Sequence, residues 1–286
     1  MDLTAQVAAA INAWLASVAT GLLAPALGAA IDLLFRTPLF DQMPAIVQLW
    51  NLARGAAVAV CLLAWLIAGV LVMANGSSDA RYTAKVLVPR VALAAVLANV
   101  SLALCGELIR LNNALVAGLL GDAPASAIAA RLLSVLAAGP SATSLVAIVV
   151  GLVAAALALL LVVLFIGRAL VLLLIIVVGP LALAGYAFPQ TEDLARLWVR
   201  ALAGLLFVQV PQAVLISIGL SVLTLATDDW LGGPASALVS GLVIVTLLYL
   251  LLRLPFVAYA WAFRQSPVSV PFAVPVRSAL RAVGAL

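Results

Sequence analysis

Residues 141–189 read SATSLVAIVVGLVAAALALLLVVLFIGRALVLLLIIVVGPLALAGYAFP, and Arg168 is the only charge among them. A helix rises about 1.5 Å per residue, so roughly 20 apolar residues cross the ~30 Å hydrocarbon core of a bilayer. This stretch alone is long enough to cross once, with chain to spare. Comparable runs lie at Ala53–Ala74, Val91–Gly106, Ser141–Gly167, Ala201–Thr227 and Ala235–Leu252. Charged residues make up only 8% of the 286 positions and AVILMFWYC residues 67%; the mean hydropathy is +1.33. A soluble chain of this size needs far more charge to keep its surface wet, so lipid is the solvent for most of it. The runs are continuous rather than alternating, which argues for helices and against a barrel. The fold class is an all-α polytopic membrane helix bundle with about five spans.

Composition excludes several chemistries. With no histidine, imidazole acid–base catalysis and histidine metal sites are ruled out. The two cysteines, Cys61 and Cys105, sit inside apolar runs and read as small packing residues. No GxxxxGK[ST], HExxH or GxSxG motif occurs. No catalytic residue, metal ligand or cofactor site is expected, and the chain reads as a non-enzyme. The net charge of +4 fits cytoplasmic loops and anionic headgroups better than nucleic acid.

Charge placement orients the spans. Arg81, Lys85 and Arg90 against Asp79 mark Asn75–Arg90 as cytoplasmic. The first span then runs inward and the second outward, leaving 106–140 outside. Residues 141–189 form either one span ending at Gly179-Pro180 or two. Two spans would place Arg196, Arg200, Arg253, Arg264, Arg277 and Arg281 outside; one span places them inside, with Asp228 and Asp229 outside. One span is therefore adopted, with Gly179–Pro189 as an irregular turn. The N-terminus is outside and the C-terminus cytoplasmic.

The sequence divides into an N-terminal segment (1–52), a transmembrane domain (53–264) and a basic tail (265–286). In Leu3–Phe35 the apolar stripe Val7, Ile11, Leu15, Val18 and Leu22 predicts an amphipathic helix, broken near Gly21–Pro25 and lying on the membrane surface. A true span is the alternative. Asp2 is the only early charge, unlike a cleavable signal. Trp14, Trp50, Trp198, Trp230 and Trp261 fall near expected interfaces. Gly151, Ala154, Ala155 and Ala158 give the third span a face for close helix contact. The tail holds Pro267, Pro271 and Pro275 before Arg277 and Arg281, which suit headgroups or a cytoplasmic partner.

Polar residues inside the apolar runs are the candidate site. Asn99, Gly106, Arg110 and Asn113 share one helix face, with Glu107 in reach of Arg110. They either line an aqueous path or bond neighbouring helices. Gln209 and Gln212 flank Pro211, which frees a carbonyl one turn earlier. The glutamines either satisfy that kink or face a pore. Arg168 lies near the cytoplasmic side of its span, and Gly179, Pro180 and Pro211 are the expected breaks or hinges.

Several ordered stretches resemble a known family. They are Gln48-Leu49-Trp50 with Arg54, Pro89-Arg90, Leu97-Ala98-Asn99-Val100-Ser101-Leu102 and Leu111-Asn112-Asn113-Ala114-Leu115. Gly179-Pro180-Leu181-Ala182-Leu183-Ala184, Phe188-Pro189-Gln190-Thr191-Glu192, Arg196-Leu197-Trp198 and Gln209-Val210-Pro211-Gln212 continue the series. Together they resemble the TrbL-type subunit of conjugative type IV secretion systems. The resemblance implies a bacterial inner-membrane channel subunit with about five spans, N-terminus outside and C-terminus inside. It implies a DNA or protein substrate, separate ATPases and other secretion subunits as partners, and a homo-oligomer. Longer members carry a large soluble C-terminal extension that this sequence lacks, so contacts made by it are not expected here. A small-solute permease and a purely structural assembly factor are the competing readings.

The topology is directly testable. Cysteines introduced at Ser78 and Thr227, in a chain lacking Cys61 and Cys105, are expected to react with impermeant thiol reagents from opposite sides of the membrane. Labelling of both from one side contradicts the arrangement.

Overall fold

The computed structural model describes residues 3–74, 78–121, 125–137, 145–188, 191–227 and 234–264. Among them the chain forms helices and no strand. In order these are α1 (Leu3–Phe35), α2 (Pro44–Ala74), α3 (Ser78–Leu120), α4 (Ala125–Ala137), α5 (Leu145–Ala184), α6 (Glu192–Phe207), α7 (Gln209–Thr227) and α8 (Pro234–Arg264). Single 3-10 turns at Phe40–Gln42 and Gly185–Ala187 join α1 to α2 and α5 to α6. Five stretches are long and apolar enough to cross a membrane: Pro44–Val70, Leu87–Leu120, Ile148–Ala187, Glu192–Thr224 and Val239–Val257. The polytopic helical bundle expected from composition is the fold observed.

Local chemistry explains the boundaries. Pro44 opens α2, where its missing N–H costs nothing because a first-turn N–H has no intrahelical acceptor. Gly121, at φ +71°, ends α3 in the left-handed region that glycine enters without strain. Glu192 and Asp193 place negative charge in the first turn of α6, against the positive end of its dipole. The Thr191 hydroxyl does not cap that helix; it donates back to the Gly185 carbonyl at 2.5 Å and closes the turn after α5.

Three expectations about helix breaks are corrected. The first helix is unbroken through Pro25. Its second half is built into the bundle, with Leu23, Leu27, Ile31 and Leu34 buried; Val7, Ile11, Trp14 and Leu22 are exposed. The third span passes straight through Gly179 and Pro180 and ends at Ala184. There the Trp198 indole lies against Gly179, where an added Cβ would meet the ring at 3.1 Å. Its Nε1 donates to the Ile175 carbonyl at 2.8 Å in the turn before the proline, and this ties α6 to α5 at that point. In the fourth span the interruption falls at Val208, and Pro211 lies within the first turn of α7. Trp50 and Trp198 are also buried rather than outward-facing; Trp50 donates to the Ser101 hydroxyl at 3.0 Å.

The buried side chains form two principal cores stacked along the bundle. The first joins Leu27 and Leu34 of α1, Leu132 of α4, Ala158 and Phe165 of α5, Ile216 of α7 and Leu248 of α8. Ala154, Ala155 and Ala158 are buried here, so the small face of α5 serves close contact within the chain. The second joins Phe40, Ile46 of α2, Ile109 of α3, Leu172 and Ile176 of α5 and Leu206 of α6. Smaller clusters, one around Ala64, Val91 and Ala94 and one around Ala57, Cys61 and Ala98, close α2 against α3. With 40 residues, α5 is about 60 Å long and runs through both cores.

Candidate functional site

A polar belt separates the two cores. Each segment passing from one core to the other carries polar side chains at the crossing. Between Leu34 and Phe40 stands Thr37; between Ile109 of α3 and Leu120 stand Asn112 and Asn113. Arg168 stands between Phe165 and Leu172, and Gln209 and Gln212 between Leu206 and Ile216. Thr37, Asn112, Arg168, Gln209 and Gln212 are all buried.

Gln209 is the centre of the belt. Its Oε1 accepts from the Thr37 hydroxyl at 2.9 Å and from Asn112 Nδ2. Its Nε2 donates to the Leu34 carbonyl at 2.8 Å. That carbonyl belongs to the last turn of α1, where no intrahelical N–H remains to bind it. Asn113 holds the same segment from the other side: its Oδ1 accepts from Thr37 N at 3.1 Å and its Nδ2 donates to Thr37 O at 3.0 Å. One side chain thus satisfies both backbone groups of a residue between helices.

Arg168 and Gln212 do the same for two other interruptions. Arg168 Nε donates to the Leu205 carbonyl at 2.7 Å and its Nη2 to that of Leu206 at 3.4 Å. These carbonyls close α6 just ahead of the break at Val208, and a cation at a helix C-terminus is electrostatically favoured. Gln212 Nε2 donates to the Leu251 carbonyl at 3.1 Å. In an unbroken helix that carbonyl would bind the N–H of residue 255, which is proline and has none. The glutamine beside Pro211 therefore repairs the kink of another helix.

At its edge the belt reaches the surface through three charges. Arg110 bonds Asp41 at 2.6 Å and Glu107 at 2.5 Å. Gly106 permits this approach, because a Cβ there would lie 2.6 Å from the Asp41 carboxylate. Three buried acceptors in the belt have no donor among the described residues: Asp41 Oδ1, Asn112 Oδ1 and Gln212 Oε1.

The structure brings together Glu107, Arg110, Asn113, Arg168, Gln209 and Gln212. Asn99 stands apart: it is exposed, and its Nδ2 bonds the Ala95 carbonyl of its own helix at 2.7 Å. Arg277 and Arg281 lie outside the described residues. Thr37, Asp41 and Asn112 join the site without having been singled out. The Asn112-Asn113 pair was a local signal for one of them; the others act through contacts distant in sequence. A second polar cluster forms at the far end of the second core. Arg90 and Arg196 both bond Glu192, and Arg90 stacks on Tyr186 at 4.9 Å. The Glu192–Arg196 half is an i,i+4 pair readable from sequence; Arg90 is not.

The repair of α8 by Gln212 makes a defined prediction. Gln212→Leu is expected to destabilise the protein by about 1–3 kcal/mol, because it orphans the Leu251 carbonyl. In a Pro255→Ala background, where an alanine N–H can bind that carbonyl, most of the cost is expected to vanish. A double-mutant cycle on unfolding in detergent measures this coupling.

The chain matches the family described as TrbL/VirB6 plasmid conjugal transfer like protein over residues 1–285. No curated protein and no solved structure matches it. The family match spans both cores, the belt between them and all five apolar spans, in agreement with the resemblance seen in the ordered motifs. The chain therefore belongs to the TrbL/VirB6 family of plasmid conjugal transfer-like proteins.

Proposed function

We propose that this protein is an inner-membrane channel and scaffold subunit of a bacterial type IV secretion or conjugation apparatus. In this reading it helps to move DNA or protein across the membrane, and separate ATPases supply the energy. The family match along the whole chain carries the proposal. The charge-derived topology supports an N-terminus outside and a C-terminus inside, where the basic tail with Arg277 and Arg281 can meet cytoplasmic partners.

The belt favours a division of labour. Thr37, Asn113, Gln209 and Arg168 direct their hydrogen bonds to backbone or to one another. Residues committed to the chain's own joints are poor material for the wall of a wide conduit. A passage for a macromolecule is then built between several copies or with other subunits, and the belt fixes the shape each copy presents. The three donorless acceptor oxygens favour a second reading, in which the belt also carries water.

Gln209→Leu combined with Gln212→Leu separates the two. In the proposed role, protein level, complex assembly and conjugal transfer fall together. Normal level and assembly with lowered transfer would favour the water path. Normal transfer with normal assembly would refute both roles. Solute uptake by a reconstituted monomer would instead support a permease.

A further inference from the structure

We propose that an anionic phospholipid of the cytoplasmic leaflet binds along the outer side of α6. Its phosphate is held by Arg196 and Arg200, and one acyl chain lies in the groove between α5 and α6. The inference goes beyond the secretion reading above and does not depend on it.

The two sides of α6 differ in kind. Ala195, Trp198, Leu202, Leu205 and Leu206 are buried, while Asp193, Arg196 and Arg200 are exposed. Arg196 and Arg200 are four residues apart, so they are neighbours on the helix surface. The Arg196 side chain is 62% exposed although it bonds Glu192. Arg90 bonds the other oxygen of that carboxylate. Arg90, Arg196 and Arg200 thus stand against Glu192 and Asp193, and positive charge is in excess. Guanidinium forks match the oxygens of a phosphate.

The cluster sits at headgroup level. The apolar helix α5 ends at Ala184, and the apolar run of α3 begins at Val91, next to Arg90. Charge placement assigns this end to the cytoplasm, where anionic lipids concentrate. Arg200 lies about 12 Å along α6 from Glu192. Helical side chains lean toward the N-terminus, which carries its guanidinium back toward Arg196 and the headgroups.

The groove favours a lipid over a free anion. It has a volume of about 330 Å³ and is lined by Val171 and Ile175 of α5 and by Ala201 and Leu205 of α6. Leu164 and Arg168 line its far end. Trp198 bonds the Ile175 carbonyl and Arg168 that of Leu205, so the two helices run antiparallel. The mouth at Ile175 and Ala201 therefore opens beside Arg200, and from there to Leu164 the groove follows α5 for about 16 Å. The Arg168 guanidinium is engaged by the Leu205 and Leu206 carbonyls, so the headgroup end is the mouth. At Gly167, which also lines the groove, an added Cβ would meet nothing within 4 Å. A ligand that uses both features carries an anionic head and a long apolar tail. Inorganic phosphate or an acidic peptide would leave the groove unused.

Photolabelling of the full chain in phosphatidylcholine nanodiscs tests this. Trace phosphatidylglycerol or trace phosphatidylcholine is added, each with a diazirine on the same acyl chain. The labelled peptides are then identified by mass spectrometry. Phosphatidylglycerol is expected to label 164–175 and 201–205 several-fold more than phosphatidylcholine does. Arg200→Gln is expected to lower that preference roughly fivefold, and Arg196→Gln with Arg200→Gln to abolish it. Arg200→Gln alone leaves the Glu192 pairs in place and decides the matter if the double variant does not accumulate. Gly167→Leu is expected to lower labelling by phosphatidylglycerol while the protein remains monodisperse. Equal labelling by the two lipids, preferential labelling of other segments, or a preference untouched by the arginine changes would overturn the site. Loss of the preference in excess inorganic phosphate, with no response to Gly167→Leu, would assign it to a free anion and also overturn the lipid. Labelling is read without transfer, so failure here leaves the family function standing.

Discussion

Backbone carbonyls that lose their donors inside an apolar bundle are the constraint on which this fold turns. In lipid or in a tightly packed helix core there is no water to bind them, and each costs several kcal/mol if abandoned. The chain creates such groups where α1 stops at Phe35, where the helix breaks at Val208 and where Pro255 interrupts α8. It answers them with Gln209 on Leu34, Arg168 on Leu205 and Leu206, and Gln212 on Leu251. Almost every buried polar side chain in the middle of the molecule follows from that need.

The same need accounts for the two-core architecture. A continuous apolar bundle can slide in register, because one leucine face fits another nearly as well. Polar groups that must find particular carbonyls remove that freedom, since a shift by one turn leaves both donor and acceptor unpaired. The belt therefore fixes how the first core sits on the second, with α5 running through both. Arg168 contributes most to this, because moving a buried guanidinium away from its carbonyls exposes a charge to apolar surroundings. For a subunit that works among other subunits, a fixed shape is the useful product.

Much of this was legible in the sequence, and the rest was hidden for physical reasons. Composition and run length gave the helical membrane class and the five spans, since lipid leaves few other options. Gln209, Gln212 and Arg168 stood out because polar residues in apolar runs are costly. Their partners did not, because Leu34, Leu205 and Leu251 act through backbone atoms that every residue has. The break expected at Gly179-Pro180 did not appear: α5 continues to Ala184, and the Trp198 ring, distant in sequence, packs against it at Gly179. The break expected in α1 failed because Pro25 introduces the half of the helix that packs into the first core, where tertiary contact outweighs a local kink. Asn99 misled because its helix face matched Asn113, although its amide binds only its own helix.

The central claim is that the belt is a closed joint between two cores, held by hydrogen bonds within the chain. Amide hydrogen exchange on the purified protein in lipid nanodiscs tests it most directly. The account predicts that segments 205–212 and 250–255 exchange as slowly as the flanking stretches of α5 and α7 in the cores, because their carbonyl networks open only with the bundle. Fast exchange confined to these belt segments, in a protein whose cores stay protected, would contradict it.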